Sequence, residues 1–333
     1  MLWPQVVSLL CAGWVLIGPM QIREAAAPWA RPISPLTFAQ YDALRDHAES
    51  DPPALDRLRQ MADSGDARAQ FAMATLYDPD FELGKLTPAN MKTAIAWYEK
   101  AATQGHAVAE ANLGAKYYVG RWVPSDYGKA IFWLQKAAAQ GNGGAERFMG
   151  LANEHGRGVA VNKTAALEWY KRAADHGDSY AEAEIGDAYL FGRGFARDQT
   201  EALNWYRKAA ASGNTYAQMR VGEAYLNGTG IERNLDQGFS FLQKSANSGN
   251  AMAQFDLGTM YERGLATPIN PQQAFHWFEK AAQNGNADAQ NALGLCYAEG
   301  RGVVRDPAAA RVWLEKAQAN GNTAAANNLR TLK

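Results

Sequence analysis

Four Gly-X-Gly steps are the residues of this sequence that best suit phosphate binding, because glycine-rich loops let backbone N–H groups approach an anion. None of them follows a predicted strand or extends into a dinucleotide-binding fingerprint, and the chain contains no Walker-type Gly-Lys-Ser/Thr sequence. We therefore interpret them as turns inside helical pairs. The steps are Gly156-Arg157-Gly158, Gly192-Arg193-Gly194, Gly228-Thr229-Gly230 and Gly300-Arg301-Gly302.

The spacing of the histidines and cysteines indicates neither a metal site nor a nucleophile. No His-Glu-x-x-His sequence occurs, and Cys11 and Cys296 are too few to build a zinc site. Cys296 lies in a predicted helix and is expected to be a buried apolar thiol. We expect surface or helix-capping roles for the histidines, of which His155, beside Glu154, is the most interesting. The sequence thus predicts neither a metal nor a cofactor.

The composition limits the classes of protein to which this chain can belong. The chain has 333 residues and a formal net charge of −1, from 33 Lys and Arg against 34 Asp and Glu. Nucleic-acid-binding proteins normally have a basic excess, so this balance argues against nucleic-acid partners. Hydrophobic residues make up 47% and aromatic residues 11%, which supports a packed core and excludes a wholly disordered chain.

An apolar run at residues 6–17 has the length of the central region of a secretion signal and is shorter than a membrane span. The small residues Ala25, Ala26 and Ala27 offer a cleavage site, although no Lys or Arg precedes the run and Pro28 follows the alanines. We expect a cleaved signal and an exported protein. An uncleaved anchor and an ordinary cytosolic helix remain as alternatives.

A row of tryptophans reveals the organisation of the chain, because they recur in steps of 36 residues, with Phe241 at the one missing position. A row of glycines keeps the same step, except that Gly65 precedes Gly105 by 40 residues. Such a period indicates a stacked array of repeats rather than separate globular domains. The tryptophans are Trp97, Trp133, Trp169, Trp205, Trp277 and Trp313.

Each unit of the repeat is predicted to be a pair of helices. In the unit from Asp178 to Gly213, Asp178 caps a first helix whose apolar residues recur at helical spacing. The step at Gly192 to Gly194 breaks this helix, Asp198 caps the second one, and Gly213 ends it.

Small residues predict how the two helices of a unit pack. A glycine recurs in the middle of the first helices, where it costs about 1 kcal/mol relative to alanine. We therefore expect a close approach of the second helix, with the Trp and Tyr rows filling the space between units. The glycines are Gly114, Gly150, Gly186, Gly222, Gly258 and Gly294, and the facing residues are Ala130, Ala166, Ala202, Gly238, Ala274 and Ala310.

The pattern of one unit is carried by Ala181, Gly186, Tyr189, Gly192, Gly194, Lys208, Ala209, Ala210 and Gly213. This pattern resembles the Sel1-like repeat, a relative of the tetratricopeptide repeat. Seven units cover Asp66 to Gly321, six of 36 residues and one of 40. The resemblance implies an all-α fold, an α/α superhelical solenoid of helix-turn-helix repeats, and a bacterial exported protein.

The predicted organisation has five parts. They are a signal peptide or anchor (1–27), a proline-rich linker (28–36), an N-terminal capping helix pair (37–65), the repeats (66–321) and a C-terminal capping segment (322–333). Asp51 is predicted to cap the second helix of the capping pair. The repeat pattern departs locally at an insertion around residues 78–87, at Trp122 in place of a loop glycine, and at Asn153 in place of a tyrosine.

The resemblance to tetratricopeptide arrays implies that the first helices line a concave face. Its variable positions mix apolar groups with an excess of carboxylates, which suits a protein or peptide segment carrying basic and apolar side chains. The alternative is a solvated helix face with no partner. The candidate contact residues are Arg147, Glu154, His155, Asp187, Phe191, Met219, Glu223, Asn227, Phe255, Glu262, Arg263 and Glu299.

The resemblance also raises an enzymatic alternative, since some cysteine-rich Sel1-like proteins are described as β-lactamases. No serine here is followed three residues later by lysine, and the paired cysteines of that branch are absent. We therefore expect a non-enzymatic protein-interaction scaffold in the periplasm or envelope, without nucleic acid. It would contact the membrane only through an uncleaved N-terminal segment. A cell-wall or polysaccharide-associated module is the other alternative.

Overall fold

The computed structural model describes residues 38–48, 51–80, 88–194 and 196–332. The predicted signal or anchor and the proline-rich linker lie outside these residues, as do residues 81–87 of the predicted insertion. In the described part of the chain every regular element is helical, with no strand, and no helix is long and apolar enough to cross a bilayer. The chain divides into two compact units, Met1–Asp178 and Ser179–Lys333.

The first unit has eight helices within its described residues. α1 and α2 pack against each other and against α3, and α3/α4, α5/α6 and α7/α8 are hairpins. The helices are α1 (Phe38–Ala48), α2 (Pro52–Asp63), α3 (Ala67–Tyr77), α4 (Pro88–Thr103), α5 (Ala107–Val119), α6 (Tyr127–Ala139), α7 (Gly143–His155) and α8 (Lys163–Asp175).

The second unit continues the same order, with α9/α10, α11/α12, α13/α14 and α15/α16 as hairpins and α17 packed on α16. The predicted fold class, an all-α solenoid of helical hairpins, is confirmed. The helices are α9 (Ser179–Phe191), α10 (Gln199–Ala211), α11 (Thr215–Asn227), α12 (Leu235–Asn247), α13 (Ala251–Arg263), α14 (Pro271–Gln283), α15 (Ala287–Glu299), α16 (Pro307–Ala319) and α17 (Ala325–Thr331).

Side-chain caps begin the helices of a hairpin, as α11 and α12 illustrate. The Asn214 carboxamide oxygen accepts a hydrogen bond from the Ala217 N–H (2.9 Å), and that of Asn234 accepts one from the Gln237 N–H (3.0 Å). These bonds satisfy N–H groups that have no partner inside the helix. Between the two helices Gly228 ends α11 at a φ of +71°, a left-handed conformation that favours glycine.

The predicted cap at Asp51 is wrong in its detail. Asp51 immediately precedes α2, but its side chain makes no capping hydrogen bond. Pro53, at the second position of the helix, has no N–H to donate, and the Ala54 N–H bonds to the Asp51 carbonyl oxygen instead (3.0 Å). The backbone therefore begins this helix without help from the carboxylate.

The close approach predicted at the mid-helix glycines is confirmed. A Cβ added to Gly150 would lie 2.4 Å from the Tyr170 ring, and one added to Gly222 would lie 2.9 Å from Leu242 and 3.2 Å from the Gly238 carbonyl oxygen. These separations are shorter than van der Waals contact. Glycine is therefore needed in α7 and α11 so that the second helix of each of these hairpins can pack against the first.

The tryptophan row is only partly interior. Trp277 is 6% exposed and belongs to a cluster with Met219 and Leu257, whereas the other tryptophans of the row are half-buried. A cation three residues later lies 3.8–5.3 Å from the centre of each ring in the row, an arrangement that favours cation–π attraction. The cations are Lys100, Lys136, Arg172, Lys208, Lys244, Lys280 and Lys316.

Two departures from the repeat pattern meet in the first unit. Lys116 is buried and its ammonium group lies 2.7 Å from Asp78 Oδ1, with Asp80 as a second carboxylate partner. Trp122 Nε1 donates to Asp80 (2.9 Å), and the Tyr98 hydroxyl donates to Asp78 (2.8 Å). Burial raises the pKa of Asp80, but the Lys116 charge and its hydrogen bond outweigh this effect, so that its pKa is lowered.

Candidate functional site

Three of the predicted contact residues lie on α7 in the first unit. Arg147 Nε donates to Asp178 Oδ2 (3.2 Å), and Glu154 accepts a hydrogen bond from the Tyr170 hydroxyl (2.7 Å). His155 is the last residue of α7 and is exposed. Arg147 and Glu154 therefore contribute to the packing of this unit, while His155 lies at its surface.

Asp187 on α9 is a hydrogen-bonding centre of the second unit. It accepts hydrogen bonds from the hydroxyls of Tyr206 on α10 and Tyr216 on α11, the latter at 2.8 Å, and lies 3.5 Å from Arg193 Nη2. Burial, and then the Asp187 charge, raise the pKa of both tyrosines, which keeps them as donors. Phe191, the last residue of α9, is 57% exposed.

Met219 does not lie on a surface, so its prediction as a contact residue is wrong. Its side chain is fully buried, in a cluster that includes Leu242 and Trp277. The helical offset from Gly222 placed Met219 among the variable positions. In the structure this side of α11 is covered by the core of the second unit.

Glu223 and Asn227, the other two predicted residues of α11, line a cavity of about 170 Å³ between α10 and α11. The buried side chains of Ala202, Leu203 and Ala224 form its apolar wall. Gln199 and Asn227, which also line the cavity, are exposed, so its opening faces solvent on that side.

Arg220 provides the cationic group of this cavity. Its Nη1 lies 2.6 Å from Glu223 Oε2, and its guanidinium group lies 5.6 Å from the centre of the Tyr206 ring. Burial, and then like charge from Glu223, raise the pKa of the nearby Asp256 to about 7. Burial raises the pKa of Glu223 as well, against the opposing Arg220 charge.

The remaining predicted residues lie further along the second unit. Phe255 packs on Phe278, with ring centres 5.8 Å apart. Glu262 pairs with Arg301 Nη1, and Glu299 Oε2 lies 2.9 Å from Arg301 Nε. Arg263 is the exposed last residue of α13. One arginine thus brings Glu262 and Glu299 together. Of the predicted contact residues, Glu223 and Asn227 line the cavity.

Sequence analysis missed Arg220 and the cavity residues of α10. Gln199, Leu203 and Tyr206 belong to a second helix, whereas the predicted contact residues are variable positions of first helices. Arg220 is a variable position of a first helix. Its repeat position holds Glu184, Arg220, Asp256 and Ala292 in the second unit, so the variability of this position was an available signal.

The residues that first suggested ligand chemistry have structural roles. The second glycine of each Gly-X-Gly step has a positive φ of 72–85°, consistent with a turn. Cys296 is 2% exposed, and burial raises the pKa of its thiol to about 11. Among the described residues no group of three or more His, Cys, Asp or Glu side chains is arranged to hold a metal ion.

Comparison with known families bears out the predicted resemblance. A model of the Sel1 repeat matches this chain seven times in tandem. The matches are at residues 67–106, 107–142, 144–178, 179–214, 215–250, 251–286 and 287–322.

The solved structures that are similar to this chain include two Sel1-type repeat proteins. One is c5321, a protective antigen present in uropathogenic Escherichia coli strains that displays an SLR fold. It is 29% identical to this chain, and the match has a TM-score of 0.61 and covers 88% of this chain and 66% of c5321. This chain therefore spans just under two thirds of its length. The other is a Sel1 repeat protein from Oxalobacter formigenes, with 31% identity and a TM-score of 0.60 over 70% of this chain and 95% of that one. No curated protein matches the sequence.

Proposed function

Since this chain belongs to the Sel1 repeat family, we propose that it is a non-enzymatic scaffold or adaptor that binds a segment of a partner protein. Sel1 repeat proteins generally mediate protein–protein interactions. The proposed binding face is formed by the first helices of the repeats, as in the sequence-based prediction.

The cavity between α10 and α11 is the observation that carries this proposal. Its wall is apolar, while its lining also includes a charged pair, Arg220 and Glu223, and two exposed carboxamides, Gln199 and Asn227. A concave, largely apolar pocket with a few polar groups is typical of a binding site. Two of the polar groups, Glu223 and Asn227, are on the face that the sequence predicts for partner contact.

Site-specific photo-crosslinking in the native cell tests the proposed face. A photoreactive amino acid at position 191 or 227, both exposed on first helices, should crosslink to the same partner protein. Matched controls carry it at positions 276 and 312, which are exposed on the second helices α14 and α16. A partner captured equally from the control positions would contradict the proposed face, and no protein adduct at any position would contradict the proposed function.

The proposed location is the periplasm or the cell envelope. It is supported by the apolar run at residues 6–17 and the following alanines at 25–27. Fractionation of the native cell should recover the protein in the periplasm, and N-terminal sequencing should show removal of the signal segment. A full-length chain in the cytosol would contradict export, and a full-length chain in the membrane would favour an anchor.

A further inference from the structure

Three side chains that line the cavity between α10 and α11 are smaller than their counterparts in the next repeat. Leu203 and Ala224 occupy the positions that Phe239 and Met260 occupy one repeat later, 36 residues on. Thr229 likewise stands where the next repeat has Leu265. The preceding repeat holds the same pair, Leu167 and Ala188, but has Arg193 where this repeat has Thr229, so the small loop residue distinguishes this repeat from both of its neighbours.

The next repeat shows how this space is filled by apolar residues. Leu242 and Met260 are buried in one hydrophobic cluster, and Leu226, Phe239 and Leu265 pack against it. Protein interiors are close-packed and leave few voids larger than a water molecule. A cavity of about 170 Å³ at the equivalent place therefore leaves room for a group from outside the chain.

The wall of the cavity indicates an aliphatic occupant. Leu190, Ala202, Leu203 and Ala224 contribute apolar surface. An apolar cavity of roughly 150 Å³ holds a molecule as large as benzene, so a leucine- or methionine-sized side chain fits. Gln199 and Asn227 line the cavity and are exposed, and their carboxamides can both donate and accept hydrogen bonds.

The charges around the cavity indicate the neighbour of that side chain. Arg220 is paired with Glu223 at 2.6 Å, and Arg193 is shared between Glu184 at 3.2 Å and Asp187 at 3.5 Å. The three carboxylates Glu184, Asp187 and Glu223 therefore outnumber the two guanidinium groups on this surface. An excess of negative charge favours a basic group on the partner.

We infer that this cavity binds a leucine or methionine side chain of the partner segment, with a lysine or arginine next to it in the segment facing Glu223. This inference rests on the proposed function and names the chemistry of the partner. It assigns recognition of the aliphatic side chain to Leu203 and Ala224, and recognition of the basic one to Glu223.

A library of random dodecapeptides displayed on phage, selected on the immobilised full chain, tests the inference. The comparison protein is the double variant Leu203→Phe with Ala224→Met, which places in the cavity the residues that the next repeat uses. Peptides enriched on the unsubstituted chain should share Leu or Met beside Lys or Arg. The best such peptide, synthesised, should bind the double variant about tenfold more weakly, because its aliphatic side chain loses a buried site. Equal affinity for the two proteins would overturn the inference.

Glu223→Gln provides a second test that keeps the cavity open. It should weaken binding of the lysine-bearing peptide about threefold, the order expected for a partly exposed ion pair, and leave its glutamine analogue unchanged. Circular dichroism and thermal melting check the fold of all variants; if the double variant does not fold, Ala224→Met and Glu223→Gln decide the question.

The two proposals fail differently. A partner crosslinked at position 227, combined with no enriched peptide or with peptides lacking the aliphatic–basic pair, would contradict the inference and leave the scaffold function standing. Absence of both peptide binding and crosslinked partners would contradict both proposals.

Discussion

The two units fill the same repeat positions with different chemistry. In the first unit Lys116 and Glu146 are ionisable groups inside the hairpins, and His106 is one at a helix cap. The equivalent positions of the second unit hold mostly uncharged residues, such as Met260 in place of Lys116 and Gln254 in place of Glu146. The hairpin geometry is nevertheless the same. The repeat therefore constrains the volume and hydrogen bonding at a position, and a charge is accepted where neighbouring residues compensate it.

The position of Lys116 shows what that compensation requires. Met260 is buried among apolar side chains of its cluster and needs no polar partner. Lys116 has two carboxylates, Asp78 and Asp80, and Asp78 itself is fully buried. Because each buried charge is costly on its own, the three residues act as one group.

Lys116→Met, which installs the second unit's residue, is expected to have the largest effect. It leaves the buried Asp78 carboxylate without its cation and should destabilise the helices around it by about 3–5 kcal/mol. Denaturant unfolding of the full chain, together with hydrogen exchange of the α3 and α5 amides, measures this loss, because a repeat array can open locally.

The triple variant Lys116→Met, Asp78→Asn, Asp80→Asn is the control for this prediction. Removing the two charges along with the lysine should recover a large part of the lost stability. If the triple variant were as unstable as the single one, packing rather than charge compensation would explain the effect of Lys116.

Glu146 and Gln254 compare an ionic with a neutral version of a second buried position. Glu146 is fully buried, and its carboxylate lies 2.9 Å from Arg172 Nη2 and 2.6 Å from His176 Nδ1. Gln254 instead donates to the Ala246 carbonyl oxygen (3.0 Å) and accepts from Asn284 Nδ2 (2.9 Å). His176 and Asn284 occupy the same repeat position, so the partner changes together with the buried residue.

Glu146→Gln alone should therefore destabilise the first unit by about 1–2 kcal/mol, because the charge-assisted hydrogen bond with His176 and the ion pair with Arg172 lose their carboxylate. Adding His176→Asn recreates the Gln–Asn pair of the second unit and should restore most of the stability. A double-mutant cycle on the midpoint of thermal unfolding measures the coupling. Strictly additive effects of the two substitutions would show that the residues do not act as a pair.

The cap of α5 gives a pH-dependent test. His106 Nδ1 accepts a hydrogen bond from the Ala109 N–H (3.2 Å), where Asn250 and Asn286 cap the equivalent helices of the second unit. Burial, and then the Arg68 charge, lower the pKa of His106 to about 4. Between pH 6.5 and 4 the unfolded chain thus binds more protons at this residue than the folded one, and stability falls as the pH falls.

His106→Asn keeps a capping acceptor that does not titrate. We expect equal stability of variant and unsubstituted chain near pH 7.5, and an advantage of about 2 kcal/mol for the variant at pH 5. Melting temperatures across this pH range provide the measurement. Parallel pH profiles for the two proteins would show that His106 is not protonated differently on folding.

The fold was predictable from the sequence because its determinants recur at one period. The caps, the mid-helix glycines and the second-helix aromatics each repeat every 36 residues. A residue that departs from the pattern in one repeat therefore does not mislead the prediction, because the other repeats show the expected residue. Met219 was misplaced because helical offset alone does not show which neighbouring helix covers a side of α11.

The candidate site was less predictable from the sequence because residues of several helices and a loop form it together. The cavity is lined jointly by Leu203, Ala224 and Thr229, which lie on two helices and a loop. The Asp78–Lys116 pair bridges residues 38 apart across the 40-residue unit, so the regular 36-residue register does not align them. Such combinations require coordinates, even where every residue involved is visible in the sequence.

Asp256 extends the comparison to a half-buried ionisable group of the second unit. Burial and the Glu223 charge raise its pKa to about 7. The folded chain therefore holds this proton up to about pH 7, whereas the unfolded chain releases it near pH 4, so the stability contribution of Asp256 is lost as the pH rises through this interval. Asp256→Asn should leave stability unchanged near pH 4 and increase it by up to about 4 kcal/mol above pH 7. Thermal unfolding at pH 4 and at pH 8 measures this difference. A variant less stable than the unsubstituted chain at pH 8 would mean that the Asp256 carboxylate stabilises the second unit through a favourable interaction of its charge.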